Sequence, residues 1–189
     1  MRPNGEKDLR VRRTLESIRR AFEQLLLEKD YEKITVTELA ERAMINKKTF
    51  YAYYRDLDDL LMEIQDELSQ EFAQRTKDYT FRDIDKLTRE FFFFSEEKGA
   101  FYEKITCNDT IIRGRMIRSV TKSVDRGYDQ LKQFTDDEKK LIQTFSNSTT
   151  LSMYKQWIED GKKVPVERVI EITTVLLQKG LSGITGVKF

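Results

Sequence analysis

Apolar side chains recur along this chain at intervals of three and four, the spacing that keeps them on one face of an α-helix. Leu15, Ile18, Phe22, Leu25 and Leu26 predict an amphipathic first helix over 10–28, followed by the polar connection Lys29-Asp30-Tyr31-Glu32-Lys33. Val36, Leu39, Ala40 and Ala43 mark a short second helix, and Phe50 and Tyr54, four apart, mark the inner face of a third. Leu60, Leu61, Ile64, Leu68 and Phe72 carry a longer one over 57–75. The helix expected over 84–95 holds Phe91-Phe92-Phe93-Phe94, four rings in a row that cannot share one face. Lys98-Gly99 breaks it, a short helix follows over 100–107, and another is expected over 111–131, punctuated by Gly114 and Gly127. Thr135, with Glu138 three residues on, starts a helix carrying Leu141, Ile142, Phe145, Leu151, Tyr154, Trp157 and Ile158, which ends at Asp160-Gly161-Lys162-Lys163. Pro165 opens the last helix, apolar at Val166, Val169, Ile170, Ile172, Thr173, Leu176 and Leu177 before Gly180, with 181–189 expected to fray. No strand signal interrupts this series, so the fold class is all-α.

One stretch carries chemistry. Residues 34–60, ITVTELAERAMINKKTFYAYYRDLDDL, read as two short helices joined by a tight turn. Thr35 is a candidate N-cap with Glu38 completing a capping box, and Asn46 caps the second helix. With Phe50 and Tyr54 turned inward, Lys47, Lys48, Thr49, Tyr51 and Tyr53 share the outward arc. Lys, Thr and Tyr all bond phosphates, so this arc is a candidate DNA-reading surface. The bland alternative is a solvated helix face, but two exposed tyrosines beside two lysines are unusual there. Thr37 and Arg42 sit on the preceding helix, where phosphate contacts are open to them, and the Thr35 end of that helix can also meet a phosphate.

Thr35, Leu39, Ala40, Ala43, Ile45, Asn46, Thr49, Phe50, Tyr51, Tyr53, Tyr54 and Leu60 follow the spacing of a known signature, and over roughly its first third the chain resembles the tetracycline-repressor-like (TetR) family of transcriptional regulators. The resemblance implies an N-terminal three-helix helix-turn-helix domain over 1–55 and a helical dimerisation and effector-binding domain over 56–189. It further implies a homodimer that reads a palindromic operator in double-stranded DNA, acting as a repressor released by a small hydrophobic or aromatic effector. Two departures stand out. Met44 occupies the place of the family's turn glycine, where a Cβ in the left-handed region costs about 1 kcal/mol or more, which predicts a slightly reshaped turn. Asp56-Leu57-Asp58-Asp59 replaces a helix start that commonly contains Lys, leaving Arg55 as the nearest cation.

The pattern Trp157, Gly161, Pro165 is similar to the C-terminal half of one TetR subgroup. In that family the last two long helices pair with those of a second subunit, which assigns Val166, Val169, Ile170, Thr173, Leu176 and Leu177 to a dimer interface, with the small residues Ser146-Asn147-Ser148-Thr149-Thr150 beside them. The aromatics Phe91, Phe94, Phe101, Tyr102, Tyr128, Phe145, Tyr154 and Trp157 are candidate lining for an effector pocket, with ordinary core as the bland alternative. A competing function class is an interaction protein or co-activator that binds a protein partner and takes no small-molecule effector.

Composition narrows the choice. A hydrophobic content of 39% across 189 residues is enough for a sizeable core. The net charge of +1 hides an asymmetry: residues 1–55 carry 13 Lys and Arg against 9 Asp and Glu, whereas 56–189 carry 21 against 24. The basic end holds the motif, and Arg2, Lys7, Arg10, Arg12 and Arg13 form a candidate arm toward phosphates or the minor groove. No histidine is present and Cys107 is the lone cysteine, so the usual general base, the commonest metal ligand and a thiolate cluster are all missing. No phosphate-cradling glycine loop appears either. The expectation is a non-enzyme with no cofactor and no metal. Without a cationic-then-apolar leader or a run of about 18 apolar residues, a cytoplasmic location with no membrane partner is expected.

Overall fold

A computed structural model describes residues 6–107, 131 and 133–188. Among these residues the chain is helical with no strand: α1 (Glu6–Glu28), a single 3-10 turn (Tyr31–Lys33), α2 (Val36–Arg42), α3 (Lys47–Tyr51), α4 (Leu57–Arg75), α5 (Ile84–Cys107), α6 (Asp136–Glu159) and α7 (Val166–Thr185). The fold class is the all-α one that the periodicity predicts. The chain forms two compact units, Met1–Gln65 and Asp66–Phe189. The helix expected over 111–131 and the pocket candidate Tyr128 lie outside the described residues, apart from Leu131, which is buried.

In the first unit, Ile18, Phe22, Leu25 and Leu26 of α1 meet Leu39 and Ala40 of α2 in a core that also takes up Ile34, Ala43 and Phe50. α1 packs on α2, and α2 on α3. Ser17 Oγ donates to the carbonyl of Ala43 at 2.8 Å. Tyr31 sets its ring edge-on to Phe22, 6.2 Å between centroids, and its hydroxyl donates to Asp58 at the head of α4.

The second unit is organised by α5, which packs against both α6 and α7. That double coverage answers the four-phenylalanine run: Phe91, Phe92 and Phe94 are all buried, and Phe93 alone is exposed, with the Arg89 guanidinium 5.7 Å from its ring. The predicted break is present as a kink within α5, where Gly99 adopts φ 68° and ψ −160°, a backbone state that side chains with a Cβ avoid. Phe72, Tyr102, Tyr154, Trp157, Val169 and Ile170 complete one core cluster with the three phenylalanines. Arg75, at the end of α4, bonds Glu97 at 2.6 and 2.7 Å and Glu71 at 2.8 Å while lying 4.9 Å over the Phe94 ring.

The predicted capping box at Thr135 and Glu138 is formed in full. The end of α7 differs from expectation. The helix runs through Gly180 to Thr185 and stops at left-handed Gly186, because Leu181 and Thr185 are buried, Leu181 in a second cluster with Phe81, Ile84, Leu131, Ile142 and Leu177. Tertiary packing thus extends a helix that a run of glycines in the sequence argued against.

Candidate nucleic-acid interface

The geometry of the reading unit begins with its caps. Asn46, in an extended conformation, accepts from the Thr49 amide at 2.7 Å and from the Thr49 hydroxyl at 3.0 Å. Thr35 accepts from the Glu38 amide at 3.3 Å. The expected reciprocal half of a box at Thr35 is absent, because the Glu38 carboxylate is drawn to Lys29 Nζ at 2.6 Å. Between the caps, the Met44 amide bonds the Glu41 carbonyl and the Ile45 amide reaches back to Ala40, a Schellman closure of α2 with Met44 as its left-handed residue at φ 54°. The turn therefore keeps the glycine-like backbone despite the Cβ, and it is not reshaped as the sequence suggested. Met44 is 90% exposed.

These caps aim α3. Phe50 is fully buried, and Tyr54, just beyond the helix, is buried with its hydroxyl donating to Glu63 at 2.8 Å. Phe50 also stacks edge-on against Tyr51 and tilted against Tyr54, at centroid distances of 5.5 and 5.6 Å. With that face locked, Lys47, Lys48, Tyr51 and Tyr53 are all exposed, and Thr49 is half-buried.

Charge pairing separates the cations of this unit. Arg42 is held by both oxygens of Glu28, at 2.6 and 2.8 Å, and the same bond lowers the Glu28 pKa. Arg55 is engaged by Asp59: the Arg55 amide and then its guanidinium hold the Asp59 carboxyl below the usual carboxylate range. Lys47 and Lys48 form no ion pair with any described residue. They are the cations of the outward arc that stay available to an anionic partner.

Thr49 has one hydroxyl proton, and it is committed to Asn46, so this side chain shapes the start of α3 instead of donating outward. Thr35 uses its oxygen as an acceptor and keeps a proton to donate. Sequence reasoning had no means to see the supporting pairs Tyr31–Asp58 and Ser17–Ala43, because they join positions 27 and 26 residues apart.

Of the pocket candidates, Phe91, Phe94, Tyr102, Tyr154 and Trp157 come together in one cluster. Their rings pack on each other: Phe91 and Phe92 lie 5.4 and 5.5 Å from Tyr154, and Phe94 lies 5.5 Å from Tyr102. Trp157 donates its indole N–H to the Val164 carbonyl at 2.7 Å and so closes the α6–α7 loop. Phe101 is half-buried, and Phe145 is exposed and not part of this cluster. Of the interface candidates, Val169, Ile170, Thr173 and Leu177 are buried within their own unit, Val166 is half-buried and Leu176 is exposed. The exposed apolar side chains of these helices are instead Leu141, Phe145, Val175, Leu176 and Ile184. The steps of four from Leu141 to Phe145, and from Leu176 through Gly180 to Ile184, are the signal that could have found them.

Residues 10–91 match a family model described as the helix-turn-helix of insertion element transposase, a span that contains the whole reading unit. Over 177 residues the chain is 28% identical to YxbF of Bacillus subtilis (strain 168), named as an HTH-type transcriptional regulator, covering 85% of this chain and 43% of that protein. The chain thus spans less than half the length of the curated relative it matches. Among solved structures, a TetR transcriptional regulator from Streptococcus agalactiae 2603V superposes with a TM-score of 0.67 at 22% identity, covering 90% of this chain and 97% of that one. FadR from Bacillus subtilis, in complex with stearoyl-CoA, gives 0.63 at 15% identity over 89% and 98%. The dihydroxyacetone kinase operon activator DhaS gives 0.54 at 20% over 93% and 98%. The fold is the TetR-type fold, and these three structures and YxbF carry the names of regulators, not of enzymes.

Proposed function

We propose that this chain, which has the TetR-type fold and its helix-turn-helix, is a homodimeric DNA-binding transcriptional regulator. The observation that carries the proposal is the outward arc of α3, where Lys47 and Lys48, without an ion pair among the described residues, sit beside exposed Tyr51 and Tyr53 while Phe50 anchors the opposite face. Lys47 supplies phosphate contact, Lys48 near the helix start enters the major groove, and the two tyrosines flank them. Thr35 adds a phosphate contact, with Thr49 and Arg55 positioning the unit. The test is selection of bound duplexes from a random pool, followed by titration across salt. A palindromic consensus with a steep salt slope supports the reading, and salt-independent or undetectable binding overturns it.

The dimer rests on the exposed apolar row of α6 and α7, with Leu141 71%, Leu176 52% and Ile184 65% exposed. A second copy that covers this row would set two reading helices on one operator. Sedimentation velocity tests it.

Repression relieved by a small molecule is the regulatory half of the proposal, supported by the aromatic interior of the second unit. The close edge-to-face packing of those rings favours a second reading, control through a protein partner with no effector. Native mass spectrometry on protein from its own host separates the two, since a retained small molecule supports the first and a bound protein the second.

A further inference from the structure

Met44 is the most exposed large apolar side chain among the described residues, at 90% against 71% for Leu141, which follows it. Its backbone is nevertheless pinned on both sides. The Met44 amide bonds the Glu41 carbonyl at 3.1 Å and the Ile45 amide bonds the Ala40 carbonyl at 2.9 Å. Ser17 Oγ holds the carbonyl of Ala43 just before it, and the Asn46 cap fixes the start of α3 just after it. The conformation at Met44 is left-handed, φ 54°, a state that a residue with a Cβ enters at a cost glycine avoids. The fold thus holds a long apolar side chain at one fixed place and buries almost none of it.

That place adjoins the candidate interface. Leu141, Phe145, Val175, Leu176 and Ile184 lie on α6 and α7, whereas Met44 stands two residues ahead of the Asn46 cap, at the end of α3 that carries exposed Lys47 and Lys48. In a helix-turn-helix this end of the reading helix is the one that meets base edges. We propose that Met44 is a specificity-determining residue whose thioether packs on the C5-methyl of a thymine beside the bases that α3 reads. The inference deepens the DNA-binding reading of α3 and rests on it.

The choice of thymine follows from the chemistry of the two surfaces. Methionine carries no charge and no N–H or O–H, and its sulfur is only a weak acceptor, so it gives a phosphate none of the donors that hold one. The base edges in the major groove present hydrogen-bonding groups and one apolar group, the thymine methyl. An unbranched, polarizable side chain with three rotatable bonds adapts to such a methyl without a fixed geometry. Lys48, which donates hydrogen bonds, and Met44, which excludes water from a methyl, would then read neighbouring positions by different means.

The test replaces each thymine of the selected operator, in both half-sites at once, by uracil, which lacks only the C5-methyl, and titrates the full chain against each duplex. One replacement should weaken binding of the parent by about three- to fivefold per half-site, the worth of one buried methyl group. Met44→Gly should abolish that loss and leave the response to every other replacement unchanged, and Met44→Leu should retain it. Met44→Asn, which also tolerates the left-handed state, reads the same coupling if Met44→Gly fails to fold. A parent that binds all uracil duplexes equally, or a loss of the same size in parent and Met44→Gly, overturns the inference and leaves the regulator standing. Uniformly weaker binding by Met44→Gly together with a lower melting temperature overturns it too, since that is the signature of a structural role. A parent that binds no duplex at all overturns the DNA-binding reading, and this inference with it.

Discussion

Ser17 of α1 donates its hydroxyl to the carbonyl of Ala43, 2.8 Å away, at the last residue before the left-handed turn that leads into α3. A side chain of the first helix thereby holds the entry to the candidate reading helix.

This bond sets the first prediction. Ser17→Ala removes it and should cost about 1 kcal/mol, whereas Met44→Gly should stabilise by about 0.5–1 kcal/mol, the left-handed strain relieved less the added freedom of the unfolded chain. Urea denaturation measures both. Loss of stability in Met44→Gly would show that this exposed thioether makes contacts the fold depends on.

On the reading face, Lys47→Ala and Tyr51→Phe should weaken DNA binding and leave the melting temperature nearly unchanged, since both side chains are exposed. Lys47→Ala should weaken all sequences alike and flatten the salt slope by roughly one counterion per subunit. Lys48→Ala should instead concentrate its loss at one operator position, by about 1–3 kcal/mol. Titration against single-base operator variants at two salt concentrations distinguishes them.

The apolar row on α6 and α7 yields a contrast between two residues seven apart. Leu176→Glu should give a folded monomer with greatly reduced operator affinity, while Val169→Glu buries a charge in the core and should unfold the second unit. Light scattering with circular dichroism reads both. A persistent Leu176→Glu dimer removes this row from the interface.

Acid should weaken the start of α5. Lys86 first, then the Thr80 amide and hydroxyl, lower the Asp83 pKa to about 2. A lowered folded-state value means the carboxylate stabilises the fold above its unfolded pKa near 4, and that contribution disappears as pH falls from about 4 to about 2. Asp83→Asn should therefore be less stable than the parent at neutral pH and the difference should shrink in that window, as followed by urea midpoints from pH 7 to 2.

Local chemistry was enough to place much of this protein. Helix existence, the Thr35, Asn46 and Thr135 caps, the Gly99 break and the outward arc of α3 all follow from side chains within four residues of one another, where spacing alone decides which groups meet. The outward face of α3 was legible as a candidate reading surface because buried Phe50 leaves Lys47, Lys48, Tyr51 and Tyr53 on the other side. Tertiary structure decided what depends on distant partners. Arg42 and Arg55 look like free cations until Glu28 and Asp59 neutralise them, and Glu38 leaves its capping box for Lys29. Val169, Ile170, Thr173 and Leu177 belong to the same apolar stripe as Leu176 in sequence, yet α5 and α6 cover the former and leave the latter bare. Periodicity names a helix's apolar face, but only the packing of neighbouring helices determines how much of that face is left for another molecule.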